Sequence, residues 1–347
     1  MSSDPLSHAI LAAPVRALDR ARWYGLKALG PLAKPLMTRR ELRVALAGVG
    51  LTALALLGAT VWPLWVLALG PIVWGTPHVL SDVRYLWVRP GRHRSIAMWI
   101  AIGIPLVVLS VTAHPAWGFA ASIGAVLVAR GSHLRRALVG LVALGLVAVA
   151  LIDASHTTVV FAHVHNFVGV VLWLAWRPRR TRKHWLLVAT FVAACALIVS
   201  GALDPLVLGL GGLDANPGGL SLWLHLGTLA PGMDGMVAVR LVLLFAFAQS
   251  VHYAVWVRLV PEEDRARETP RTYAATLRAL RAEMGTFLVV ATIVVALGVA
   301  VWAAYDVYEA RNGYLRAVLF HGHLELAAIA LLMIEGRRPR VETSSAA

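Results

Sequence analysis

The stretch PLWVLALGPIVWGTPHVLSDVRYLWV, residues 63–88, decides how the chain is read. A helix crosses a bilayer with about 20 apolar residues, and this segment is long enough to do so. Yet it carries Pro71, Gly75 and Pro77 ahead of a histidine, His78, and a carboxylate, Asp82. A broken helix is tolerated at membrane depth only where it faces protein or a cavity. An ionisable group in hydrocarbon is costly enough to mark a functional site by default. His78, Asp82 and Tyr85 fall at i, i+4 and i+7 and share one helix face. A carboxylate one turn from a histidine can fix its tautomer from behind, as metal-bound imidazoles require. The competing account pairs Asp82 with Arg84 at the edge of the span.

Nine further apolar segments surround this one, at 43–61, 95–113, 115–130, 134–152, 154–176, 184–202, 236–258, 285–305 and 313–335. The composition agrees: 59% of the 347 residues are hydrophobic and 14% charged, against roughly 25% charged in soluble domains. The expected fold is all-α, a polytopic membrane bundle of about ten transmembrane helices. Residues 43–335 read as one helical domain. Residues 1–42 precede it as a basic cytoplasmic segment, and 336–347 follow as a cytoplasmic tail.

Arginine sets the orientation. Arg39, Arg40 and Arg43 precede the first span, and Arg89, Arg92 and Arg94 follow the second. Arg130, Arg135 and Arg136 lie between the fourth and fifth, and Arg177 to Lys183 follow the sixth. Arg258 to Arg281 follow the eighth, and Arg337, Arg338 and Arg340 the tenth. The opposite loops are short or acidic, carrying Asp153, Asp204, Asp214, Asp234 and Asp306, with Arg311 the exception. Both termini are therefore expected in the cytoplasm, with the chain in a bacterial inner membrane. The formal charge of +14 is a topology signal on this reading, and the expected partner is the lipid bilayer with no nucleic acid. Cys195 is the only cysteine, which excludes an intrachain disulfide, a multi-cysteine zinc site and a thiolate-held iron–sulfur cluster.

Three segments lie outside the spans. Residues 1–42 alternate apolar residues with Arg16, Arg20, Arg22 and Lys27, the pattern of a helix lying on the membrane surface; a flexible tail is the competing account. They lack an apolar core followed by a small-residue cleavage site, so no signal peptide is expected. Residues 203–235 form a Gly- and Pro-rich external segment without Lys or Arg. Its apolar part, 220–229, is too short to span and reads as re-entrant or interfacial. Residues 261–284 read as a cytoplasmic amphipathic helix.

Four spans carry histidine near their middle: His78 in the second, His163 and His165 in the sixth, His252 in the eighth, His321 and His323 in the tenth. All four run in the same direction, and their convergence would resemble a metal site between helices. In the sixth span His156, His163 and Asn166 line one stripe, while His165 points about 160° away from His163. His163 is favoured as the inward residue. The eighth places Gln249, His252 and Trp256 on one face. The tenth pairs His321 with Glu325 at i+4, with His323 turned the other way, and Gly322 between them permits close helix approach. His78, His163, His252 and His321 are therefore the expected ligands, with His165 and His323 in reserve. Asp82, Glu325, Gln249 and Asn166 are the polar groups beside them. His8, His93, His133 and His184 belong to water-facing loops. Ligand depths differ by about 10 Å when counted from the external helix ends, so one site or two layers both remain open.

Imidazole without thiolate suits iron, zinc, copper or nickel. Apolar surroundings favour non-haem iron with O2 and an apolar small-molecule substrate. Haem held by two histidines is one alternative. A transporter or proton-coupled carrier using intramembrane His, Asp and Glu is another.

Gly75-Thr76-Pro77-His78-Val79-Leu80-Ser81-Asp82 resembles the G-x-P-H-x-x-x-D segment of the Brp/Blh-type bacterial β-carotene dioxygenase family. FAFAQSVHYAVW, residues 245–256, is similar to a late F-x-x-W-H-S-x-R-H segment, and FHGHLEL, residues 320–326, to a W-H-x-x-x-E segment. Val79 stands where the family has glycine, and Gln249 where it has the first histidine of its late pair. The resemblance is confined to these short segments. It implies a polytopic protein whose dispersed histidines hold a non-haem iron for oxidative cleavage of a carotenoid or a related lipid.

Overall fold

A computed structural model of the chain describes residues 5–176 and 182–336, and every regular element among them is helical. Eight helices have the length and apolarity to cross a membrane: α2 (Arg40–Val61), α3 (Pro63–Val88), α6 (His133–Ile152), α7 (Ala154–Trp176), α8 (Arg182–Val199), α10 (Gly235–Glu263), α12 (Thr286–Tyr305) and α13 (Val307–Glu335). Two shorter apolar helices, α4 (Ile96–Thr112) and α5 (Pro115–Val128), occupy the third and fourth expected spans. Outside them lie α1 (Pro5–Ala28), α9 (Leu222–Leu229) and α11 (Tyr273–Met284). The polytopic helical bundle expected from hydropathy is what the chain forms.

By contacts, the described residues group into two compact units. Among the described residues, one comprises 5–84, 166–176 and 182–311, the other 85–165 and 312–336. The division falls within α3, α7 and α13, so helix continuity conceals it from any linear reading.

In the first unit α2 packs on α8 and α10, and α3 packs on α10 and α12. Helix α10 is the buried centre, with Val242, Ala246, Phe247, Val255 and Trp256 each at most 1% exposed. An all-round apolar helix of this kind belongs inside a bundle. Its far end is held by charge. Glu262, 2% exposed, receives hydrogen bonds from Arg43 of α2 and, at 2.7 Å, from Arg258, and it also pairs with Arg265.

In the second unit α5 contacts α4, α6 and α13. Its small residues explain how a helix of 14 residues can sit among three others. A β-carbon on Gly118 would stand 2.0 Å from the His323 ring, and one on Gly124 1.8 Å from the Ala101 carbonyl oxygen. Close approach through glycine is how helices associate where lipid removes the hydrophobic drive.

One sequence feature takes an unexpected form. The Pro71 kink is a wide π-type turn over Pro71–Gly75, and further π-turns follow at Val83–Val88, Trp99–Gly103 and Val255–Leu259. Such turns shift the register of everything beyond them and recur at functional sites. The Gly- and Pro-rich segment 203–235 holds α9, an eight-residue helix resting on α10, in keeping with an apolar stretch too short to span.

Candidate metal site

The first unit brings His78, Asp82 and His252 together. Their relative exposures are 1%, 0% and 1%. One ligand atom from each lies within 4.8 Å of the others. The π-turn ends immediately before the helical turn that carries His78. His78 Nδ1 lies 2.7 Å from the Gly75 carbonyl oxygen. A carbonyl can only accept, so Nδ1 carries the proton and Nε2 presents its lone pair. That lone pair faces Asp82 Oδ2 at 3.9 Å, beyond hydrogen-bond range.

This reverses the part expected of Asp82. The ring is oriented from behind by the Gly75 carbonyl, and the carboxylate stands on the ligand side. Arg84, the competing partner of Asp82, sends its guanidinium to Glu283 of α11 at 2.8 and 3.0 Å.

The spacings suit a first-row ion. On a tetrahedral ion two atoms bound at about 2.1 Å lie about 3.4 Å apart, so the 3.9 Å pair closes by about 0.5 Å on binding, and spacings up to 4.8 Å close by up to about 1.4 Å. Two imidazoles on one tetrahedral ion set their ring centres about 5.2 Å apart; those of His78 and His252 are 5.4 Å apart at 76°. A buried carboxylate beside two imidazoles is compensated once a cation joins it.

Long-range contacts position the set. Ser81 Oγ donates to the Trp256 carbonyl at 2.6 Å, tying α3 to α10 one turn beyond both histidines. Gly169 of α7 makes room for His252, because a β-carbon there would stand 2.8 Å from Nδ1. Tyr253 packs its ring against His78, with centres 4.6 Å apart. Gln249 is buried one turn before His252, and Asn166 is buried in the same unit.

The second unit carries its own imidazoles. His165 and His321 meet with ring centres 5.3 Å apart at 77°. His323 lies between Phe119 and Phe161, at 5.1 and 4.1 Å. All three direct Nδ1 at the carbonyl of the preceding turn: Ala162 at 3.0 Å, Val318 at 2.6 Å and Leu319 at 3.4 Å. Of the neighbouring pair His163 and His165 on α7, His165 meets His321, and both are half-buried. Gly322 approaches the His165 ring, as its small size suggests, a β-carbon there standing 3.1 Å from Cδ2. Glu325 is fully buried.

Other histidines sort differently. His156 is exposed and bonded to Asp153 at 2.7 Å. His184, expected to face water, is 4% exposed and lies 3.1 Å from Glu263 Oε1, because α10 runs on past Trp256 and carries that carboxylate to it. His8 lies among residues whose side chains are not described. His225 of α9, which hydropathy passes over, is 1% exposed, with Nδ1 on the Ser221 carbonyl at 2.8 Å and Nε2 buried without a hydrogen-bond partner. Burial lowers its pKa. Its signal was a lone histidine inside the short apolar stretch 220–229.

No protein-family model, curated protein or solved structure matches the chain.

Proposed function

We propose that the chain is a membrane-embedded oxygenase that holds a non-haem iron through His78, Asp82 and His252 and acts on an isoprenoid or carotenoid-like lipid. The observation that carries this reading is the buried trio, with the His78 lone pair turned toward the Asp82 carboxylate at 3.9 Å. Two imidazoles and one carboxylate with open positions form the donor set of non-haem iron oxygenases. A ferrous ion bound there supplies a place for O2, and cleavage of one carbon–carbon double bond by O2 yields two carbonyl products with no further reductant. The protein's part is to present the lone pairs, keep water out and admit a substrate already dissolved in the bilayer. The likeness of residues 75–82 to the carotenoid-cleaving family supports the choice of iron, O2 and isoprenoid. His163, His165, His321, His323 and Glu325 remain candidates, each tested by its own substitution.

Coexpression with a carotenoid pathway tests the activity. Cleavage shortens the conjugated chain, so the wild type bleaches the pigment and His78→Ala does not. Pigment that persists with iron-loaded wild type rejects carotenoid cleavage. A Soret band in the purified protein favours the haem alternative, and protein that takes up no metal favours a carrier. We also propose that both termini and the arginine-rich loops lie in the cytoplasm, on the strength of the arginine bias between spans. In a Cys195→Ser background, Ala215→Cys should then be labelled in intact cells and Thr269→Cys spared.

A further inference from the structure

Helix α1 presents two unlike faces. Asp19 and Arg22 lie on one side and hold the helix to its neighbours. The Asp19 carboxylate accepts the backbone N–H groups of Tyr273 and Ala274 at 2.7 and 3.1 Å, at the start of α11. Arg22 donates to the Arg271 carbonyl and lies 3.9 Å from Met37 Sδ. The other side carries Arg16, Arg20, Trp23 and Lys27, spaced four, three and four residues apart and all exposed. They form one stripe.

That stripe is organised. Lys27 Nζ sits 5.3 Å over the Trp23 ring, and Trp23 meets Tyr24 edge-on at 5.0 Å. Trp23 and Tyr24 are 56% and 63% exposed. With Arg16, Asp19 and Arg20 they border a shallow hollow. The one acid in this group has its oxygens committed to the α11 backbone, so the face is left cationic and aromatic. Chain continuity fixes its level. A short link joins α1 to the arginine-flanked start of the α2 span at Arg40, and α11 runs through Gly285 directly into the α12 span.

We infer that the α1–α11 pair is a docking surface for the headgroups of anionic phospholipids, with Arg16, Arg20 and Lys27 facing phosphate and Trp23 and Tyr24 entering the interface. Basic residues beside an apolar anchor are how surface helices select anionic leaflets, and tryptophan and tyrosine settle at headgroup depth. An acidic protein would find the same charges. It would not be placed by the chain at the ends of two membrane spans.

The full chain, in a Cys195→Ser background, is reconstituted into vesicles of phosphatidylcholine alone or with phosphatidylglycerol. A nitroxide at Tyr24→Cys reports immersion through its relative accessibility to oxygen and to a water-soluble nickel chelate. Immersion in the anionic vesicles, weak immersion in the neutral ones, and release by high salt are expected. Each basic residue near an anionic surface contributes a factor of about five. Changing Arg16, Arg20 and Lys27 to Gln together should therefore lower partitioning of the helix by about a hundredfold, while the circular dichroism of the bundle stays unchanged. Equal immersion in both lipids overturns headgroup selection. A label that stays in water in both, or is shielded by polyglutamate in neutral vesicles but by no anionic lipid, overturns the proposal. None of these outcomes bears on metal binding, so this inference stands or falls apart from the proposed function.

Discussion

Gly169→Ala should empty the metal site from a helix that supplies none of its three ligands. The new β-carbon would stand 2.8 Å from His252 Nδ1 and 3.5 Å from Trp256 Nε1. Ordinary contact begins at 3.4 Å, so the imidazole must retreat by about 0.6 Å, as a small-to-large change in a packed core demands. Metal–ligand distances tolerate about 0.2 Å. Trp256 lies one turn on and Ser81 is bonded to the Trp256 carbonyl, so little slack exists for the helix to follow. Disturbing a group that orients a ligand costs about 10–100-fold in metal affinity, and overpacking about 1–3 kcal/mol of stability. The assay is metal per protein by elemental analysis, with the thermal midpoint in detergent recorded alongside. Gly298→Ala is the control, since no atom lies within 4 Å of its β-carbon. Full metal occupancy and unchanged affinity in Gly169→Ala would refute the assignment of His252 as a ligand.

Three further outcomes are expected. Gly118→Ala sets a β-carbon 2.0 Å from the His323 ring and should lower the thermal midpoint sharply, by far more than Gly145→Ala, whose β-carbon meets nothing within 4 Å. Glu262→Gln leaves Arg43, Arg258 and Arg265 facing one another without the carboxylate they share. Loss of one partner from a buried ion group costs about 3–5 kcal/mol; the half-exposed Arg258 relieves part of this, and denaturation in detergent should show a loss near the lower figure. His225 has its pKa lowered by burial, so the unfolded chain binds its proton first as pH falls. Stability contributed by the neutral ring is then present above the ordinary histidine pKa of about 6.5 and is lost as pH drops below it. A His225→Asn variant should flatten the melting profile between neutral and mildly acid pH, and an unchanged profile would remove His225 as the cause.

Much of the fold was legible because a membrane span announces itself locally. Each expected segment coincides with a helix to within a few residues, since apolar length and flanking charge need no knowledge of neighbours. Even the shortest expected span, 115–130, is a helix, short because glycines let it sit among three others. The site was legible only in residue type. His78 and His252 were picked out as costly groups in hydrocarbon. Which way Asp82 faces depends on a π-turn that no periodicity reveals. His163 and His165 differ by a rotation about α7, and polar neighbours along the stripe drew attention to His163, whereas the contact of His165 with His321 depends on a second helix. Ser81, Gly169 and the burial of His184 by Glu263 are contacts between residues far apart in the chain, beyond the reach of composition or spacing. The two-unit grouping is hidden for the same reason, since it divides continuous helices.

Metal content is the most direct test of the central claim. Wild-type protein expressed with iron supplied, purified in mild detergent and assayed for all first-row transition metals should carry iron. His78→Ala, Asp82→Asn and His252→Ala should each lose it while keeping the helical circular dichroism of the wild type, and His133→Ala, in an exposed position at the start of α6, should retain it. Wild-type protein devoid of every transition metal, or variants of all three residues that keep full occupancy, would contradict the account.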